Sequence, residues 1–335
     1  MTLVLCESKP NRLKPTTLTE LTERFLMRWM KRILPLTFFS LLAVPMHAES
    51  RVTTVDRIAD GVWMAQTDQG VNAGWFLVGD EVVAVDTGSD AETGKALLQK
   101  IAETAGRPVR FLIITHAHAD HAGGVGPFVA AGATVLCQEN AAPSVGQLIA
   151  SETKSRSGFM SIFNGLGFLG GTRRVAIYYM GPAHSRGDLV VFLPDDKVLF
   201  AGDVVSTTKA PYMQSADVDP SGWEKLLGRL MQIDADRIAP GHGAAGKKES
   251  IAATLAYVRK VNQLAKEMIA DNVPDSLVEA KIHFKEEASS VNPALVKNVT
   301  AAMAAEKAKA TAAAPAINPT APAPARTPTP MPKKK

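Results

Sequence analysis

The chain is 335 residues long, enough for one large domain or a domain with appendages, and its 46% hydrophobic content suits a globular protein with a sizeable core. The basic balance has one source: residues 1–48 hold seven Lys/Arg against three Glu, which leaves 30 basic and 30 acidic residues in the rest. A formally neutral body lacks the basic footprint of a nucleic-acid partner, so the expected partner is a small-molecule substrate and no nucleic acid.

Residues 27–48 read as a secretory signal. Arg28, Lys31 and Arg32 form a positive start, an apolar stretch with Phe38, Phe39, Leu41 and Leu42 follows, and Met46-His47-Ala48 is the cleavage site. The apolar stretch is short for a membrane span, so no stable span is expected after signal removal; an uncleaved anchor is the alternative. The charged residues ahead of it point to Met27 or Met30 as the working start. The mature chain is expected to be periplasmic or secreted. Cys6 precedes the cut, and Cys137 in an apolar run is then a lone buried strand cysteine with no disulfide partner.

From residue 50 to 86, short apolar runs (62–65, 74–78 and 82–85) are cut by Gly-Asp and Asp-Gly turns, the pattern of β-strands. Residues 90–105 have helical apolar spacing. Residues 111–115 (FLIIT) form a buried strand, followed by a His-rich loop in which Gly123-Gly124 permits a tight turn, then a further helix and a strand reaching Cys137. Residues 158–171 are Gly-rich and apolar. They read as a substrate flap whose Phe159, Phe163 and Phe168 cover an apolar substrate, or as a packed helix and loop. Strands return at 175–179, 189–193 and 198–201, with a turn at 194–197 between the last two. Residues 222–233 and 250–270 read as amphipathic helices. After about residue 310 the chain is Ala/Pro/Thr-rich and is expected to be disordered. The expected organisation is an N-terminal extension and signal (1–48), a catalytic domain (49–272), a C-terminal helical appendage (273–310) and a tail (311–335).

Five of the seven histidines fall in three motifs: His116-Ala117-His118-Ala119-Asp120-His121, Gly181-Pro182-Ala183-His184, and Pro240-Gly241-His242-Gly243, with Gly202-Asp203 between the last two. Four imidazole or carboxylate groups within six residues are costly to bury without a metal, and they are the donors that zinc prefers. In an extended loop, side chains two apart share a face, so His116 and His118 can meet one ion; a turn at Ala119 then sends Asp120 and His121 to a second. His283 matches no motif and reads as a surface histidine.

A strand followed by His-x-His-x-Asp-His, then His, Asp and His, resembles the metallo-β-lactamase-fold superfamily over roughly residues 52–270, and Asp86 in Val-Asp-Thr-Gly matches another of its motifs. The resemblance implies an α/β (α+β) fold, a four-layer αββα sandwich with the site at one edge. It implies two Zn2+ per chain, with Fe or Mn as alternatives. His116, His118 and His184 would bind the first ion and Asp120, His121 and His242 the second, with Asp203 bridging both. Asp86 would orient a ligand imidazole by hydrogen bond. The implied reaction is attack of a metal-bridging hydroxide on a carbonyl, with Asp120 orienting the nucleophile.

Asp203, together with His121, resembles the glyoxalase II-like ligand set, so an ester, thioester or lactone substrate is expected first. A β-lactam is the alternative, since some members are β-lactamases with a Cys at the position of Asp203. Tyr212 and Lys209 follow the Asp203 loop and are candidates for the pocket wall. An iron-dependent persulfide oxygenase and a non-catalytic periplasmic partner are the remaining alternatives. The sequence fixes no oligomeric state.

Overall fold

The computed structural model describes residues 51–152, 159–208, 210–286 and 292–313. The signal segment and its cleavage site, Lys209 and the tail from residue 314 lie outside the described residues. The strands are β1 (Val52–Ala59), β2 (Val62–Thr67), β3 (Asn72–Val78), β4 (Glu81–Val85), β5 (Val109–Ile113), β6 (Thr134–Gln138), β7 (Phe159–Ile162), β8 (Gly165–Gly170), β9 (Arg173–Tyr179), β10 (Leu189–Leu193), β11 (Val198–Gly202) and β12 (Arg237–Pro240). The helices are α1 (Ala91–Ala105), α2 (Ala119–Ala122), α3 (Val125–Ala130), α4 (Ala142–Glu152), α5 (Pro220–Leu230), α6 (Lys248–Ala270), α7 (Val278–Glu286) and α8 (Pro293–Ala313).

Two mixed sheets result, one of seven strands in the order β1 to β7 and one of five in the order β12-β11-β10-β9-β8. Three apolar clusters show how they stack. Leu97, Ile101 and Phe128 of α1 and α3 pack with Trp75 and Leu112 of the first sheet. Phe76, Val83 and Ile113 pack with Ile177, Val191 and Phe200 between the sheets. Val190 and Leu199 of the second sheet pack with Trp223, Leu227 and Val258 of α5 and α6. Three interlayer cores mean four layers, αββα, as expected. The sheets approach closely at Gly74, where a Cβ would sit 2.2 Å from the Phe200 ring.

Local signals explain the element ends. Asp90 caps α1 by accepting from Thr93 N at 2.8 Å and Thr93 Oγ1 at 2.9 Å, and Gly106 ends the helix in the left-handed region at φ 68°. Asp219 caps α5 through Gly222 N at 2.7 Å. The C-terminal helices share the α6 core: Val278, Ile282, Leu295, Val299 and Met303 are buried in the same cluster. Helix α8 runs to Ala313, past the expected boundary near residue 310. Cys137 is buried on β6, and burial pushes its thiol up to about 12; His283 is exposed.

Residues 159–170 correct an expectation. They form neither a flap nor a helix and loop, but two edge strands, one for each sheet: β7 pairs with β6 and β8 with β9. Leu166 and Phe168 alternate inward against the inter-sheet core, with Phe168 beside Phe111 at 6.2 Å between ring centroids. The glycines serve close approach rather than motion. A Cβ at Gly165 would lie 2.8 Å from the Ile177 carbonyl oxygen, and one at Gly170 would lie 2.4 Å from Val78 Cγ1.

Candidate metal centre

The centre is built on strand ends. Leaving β5, the chain stays extended through His118 (φ −66°, ψ 145°) and then turns into α2, which carries Asp120 and His121. Asp203 follows β11, His242 follows β12, and His184 lies in the loop between β9 and β10. The parallel pairing of β11 with β12 brings Asp203 and His242 together. Gly241 is required between them, because a Cβ there would stand 1.9 Å from Asp203 Oδ1.

All seven candidate ligands converge, in two groups. One donor atom from each of His116, His118 and His184 lies within 4.8 Å of the others, and the same holds for Asp120, His121, Asp203 and His242. His118 Nδ1 faces His184 Nε2 at 3.0 Å. His242 Nε2 is 3.2 Å from Asp120 Oδ2, and His121 Nε2 is 3.2 Å from Asp203 Oδ1.

Four of the five imidazoles are held by their other nitrogen. His121 Nδ1 is 2.9 Å from Asp86 Oδ2, and Asp86 also accepts from Thr115 N and Thr115 Oγ1, each at 2.8 Å. His116 Nδ1 meets Thr115 Oγ1 at 3.1 Å, and His184 Nδ1 donates to the Tyr212 carbonyl at 3.1 Å. His118 Nε2 meets Ser215 Oγ at 3.2 Å and lies 3.7 Å from Asp217 Oδ1. Asn72 clamps the His242 loop, donating to the Pro240 carbonyl at 2.9 Å and the Gly243 carbonyl at 2.7 Å. The Trp223 ring supports the His184 imidazole edge-on at 5.4 Å. Sequence reasoning found Asp86 but not Thr115, Ser215, Asp217, Asn72 or Trp223; only the polar Ser-Ala-Asp run at 215–217 offered a signal.

The charges divide the two groups. Burial pushes His184 down to about 4 against the pull of Asp203, and burial with the neighbouring His121 and His184 holds His116 well below its ordinary value. Burial also opposes a proton on His118, but the nearby Asp217 carboxylate raises it. In the second group, hydrogen bonds to Asp120 and Asp203 raise His242 to about 9. Burial opposes charge on His121 and Asp203, yet the charges of Asp203 and Asp86 lift His121 well above the usual range, and His121 and His242 hold Asp203 well below it. Asp120 is likewise lowered, the His242 hydrogen bond and His121 outweighing burial.

Two cavities open on the cluster. One of about 560 Å³ has His118, Asp120, Asp203 and His242 in its wall, together with Ser215 and Tyr212. Tyr212 and His242 also line the other, of about 200 Å³. Among the described residues, none of 159–171 lines either cavity.

A family profile described as the metallo-beta-lactamase superfamily matches residues 67–242. The chain belongs to that superfamily. Among its relatives is a metallo-beta-lactamase type 2 from Bacillus sp. (strain 170), 29% identical over 189 residues that make up 53% of this chain and 68% of the relative. Another is the 2,4-dinitroanisole O-demethylase subunit alpha from Nocardioides sp. (strain JS1661), 29% identical over 210 residues, 59% of this chain. The match spans 60% of that protein's length. Among solved structures, a metallo-beta-lactamase from Pontibacter korlensis is similar with a TM-score of 0.54 and 27% identity, covering 62% of this chain and 98% of the other. The mono-zinc form of a metallo-beta-lactamase from Pseudomonas aeruginosa has a TM-score of 0.55 and 25% identity, covering 62% and 95%.

The superfamily fold and this His/Asp cluster imply metal ions, and the residues present fit them. His116 Nε2, His121 Nε2 and Asp203 Oδ1 are buried without a hydrogen-bond partner among the described residues. Orphaned buried polar atoms are costly, and these three belong to the two ligand groups, where ions would satisfy them.

Proposed function

We propose that the chain is a dinuclear zinc-dependent hydrolase of an ester, thioester or lactone. The observation that carries this reading is the position of Asp203. Its Oδ2 lies 3.4 Å from His184 Nε2 and 3.5 Å from His242 Nε2, so one carboxylate faces both ligand groups. His116, His118 and His184 would hold the first ion and Asp120, His121 and His242 the second, with Asp203 between them. Imidazole and carboxylate suit zinc, and iron or manganese can use the same donors.

When bound, such ions lower the pKa of a water toward neutrality and polarise a carbonyl oxygen. The chain supplies the rest. Asp86, Thr115, Ser215 and the Tyr212 carbonyl each fix one imidazole, so the donor atoms keep their aim without reorganisation. Asp120 stands in the cavity wall as an ionised carboxylate and orients the attacking water. The Tyr212 side chain, shared by both cavities, contacts the substrate.

A β-lactam is the second reading, favoured by the β-lactamases among the relatives. An aspartate rather than a cysteine at position 203 puts it second. The experiment is a panel of thioester, ester and lactone substrates and nitrocefin, run on zinc-loaded mature protein. Turnover should be highest for an ester, thioester or lactone. Nitrocefin turnover above all of these would reverse the order. One iron per chain with oxygen consumption on a persulfide would replace the hydrolase reading. The signal-like segment 27–48 supports export, and a mature N-terminus near Glu49 in the periplasmic fraction is expected; full-length chain in the cytosol would refute it.

A further inference from the structure

A cavity of about 460 Å³ shares no lining residue with the two metal-side cavities. One wall comes from the catalytic body and the other from α8, which lies beyond the stretch 67–242 that matches the superfamily. Its volume falls in the range of small-molecule sites, roughly 300–1,000 Å³. Ala305, Ala308 and Ala312 recur at helical spacing and present one face of methyl groups, which leaves the space open; Pro182 and Val218 add apolar surface.

Most charged groups in the wall are already committed. Asp219 caps α5 and pairs with Lys309, whose Nζ also meets Ser221 Oγ at 2.7 Å and Glu306 at 3.3 Å. Asp217 accepts from Ser215 Oγ and from Arg186 N at 3.2 Å. Arg186 differs. Its backbone is anchored at three points, by that bond and by Tyr179 Oη and Asn140 Nδ2 donating to its carbonyl at 3.0 and 3.2 Å. Its guanidinium has no carboxylate partner among the described residues. A fixed backbone with an uncommitted fork of donors matches a carboxylate, which guanidinium binds in bidentate fashion.

We propose that this cavity binds a small carboxylate with a short apolar body, its anionic head on Arg186 and its body on the alanine face of α8. The cavity adjoins the metal centre through Asp217, 3.7 Å from His118 Nε2, but the proposal does not depend on the hydrolase reading. Hexanoate is the probe, titrated calorimetrically into full-length zinc-loaded protein, with hexanol and hexylammonium as controls. Hexanoate should bind once per chain at millimolar concentration or tighter, and neither control should match it. Arg186→Gln should weaken binding by about tenfold or more, from the loss of charge-assisted hydrogen bonds. Ala308→Phe, which fills the cavity, should abolish it. His242→Ala, at the metal centre, should leave it unchanged. Should Ala308→Phe fail to fold, Arg186→Gln decides, because Arg186 is exposed and its side chain makes no hydrogen bond or ion pair among the described residues. The proposal falls if wild-type protein shows no hexanoate binding up to about 10 mM, if binding survives Arg186→Gln, or if it disappears with His242→Ala.

Discussion

At the scale of the residue, proton and metal compete for the same nitrogens. His121 and His242 are both held in the protonated range, His242 to about 9, whereas in the first triad His184 is pushed down to about 4 and His116 well below its ordinary value. Only His118 is raised there. Metal binding requires the free imidazole nitrogen, so each displaced proton costs affinity below that group's pKa, about tenfold per pH unit. Loading the second group displaces two protons and loading the first triad at most one. Both affinities therefore rise with pH, the second more steeply, and the His242 proton stops costing affinity once pH passes about 9. Zinc titrations against a competing chelator at about pH 6.5 and about pH 8.5, roughly two decades apart in proton concentration, should show this. Equal pH slopes for the two ions would contradict the division of charge.

The candidate ligands were legible residue by residue, because His-x-His-x-Asp-His after an apolar strand leaves little other chemistry. Their supports were not. Thr115 looks like one more strand residue, and Asn72 reaches the His242 loop from 168 residues away, to Pro240. Such pairings exist only once the strands are placed side by side.

At the scale of the element, strands and helices at 62–113 and 175–270 follow from period and capping, while 158–171 misled because glycine has two uses. It permits motion, and it permits close approach; the inward alternation of Leu166 and Phe168 decides for the second here. Phe168→Asp should therefore destabilise the fold by about 3 kcal/mol, through a charge placed against the inter-sheet core. Thermal or urea unfolding of the variant measures it. Unchanged stability with an altered KM would restore the flap.

At the scale of the whole molecule, the four layers set the strand ends together, and the two C-terminal helices complete the outer face of the second sheet's helical layer. Val278, Ile282, Leu295, Val299 and Met303 are buried with α6. A chain ending at Asn272 should lose several kcal/mol of stability, because each such side chain contributes about 1.5–3 kcal/mol when buried. Soluble protein with an unchanged melting temperature would instead make the helices a separate appendage.

The account rests on one carboxylate serving both groups, and metal content tests it most directly. Zinc per chain, measured by mass spectrometry of elements after dialysis, should be close to two in the wild type. Asp203→Ala should hold at most one and lose hydrolytic turnover, while Asp203→Asn, of the same shape, should weaken both ions less severely. Two zinc ions retained by Asp203→Ala with undiminished activity would contradict the shared-carboxylate centre.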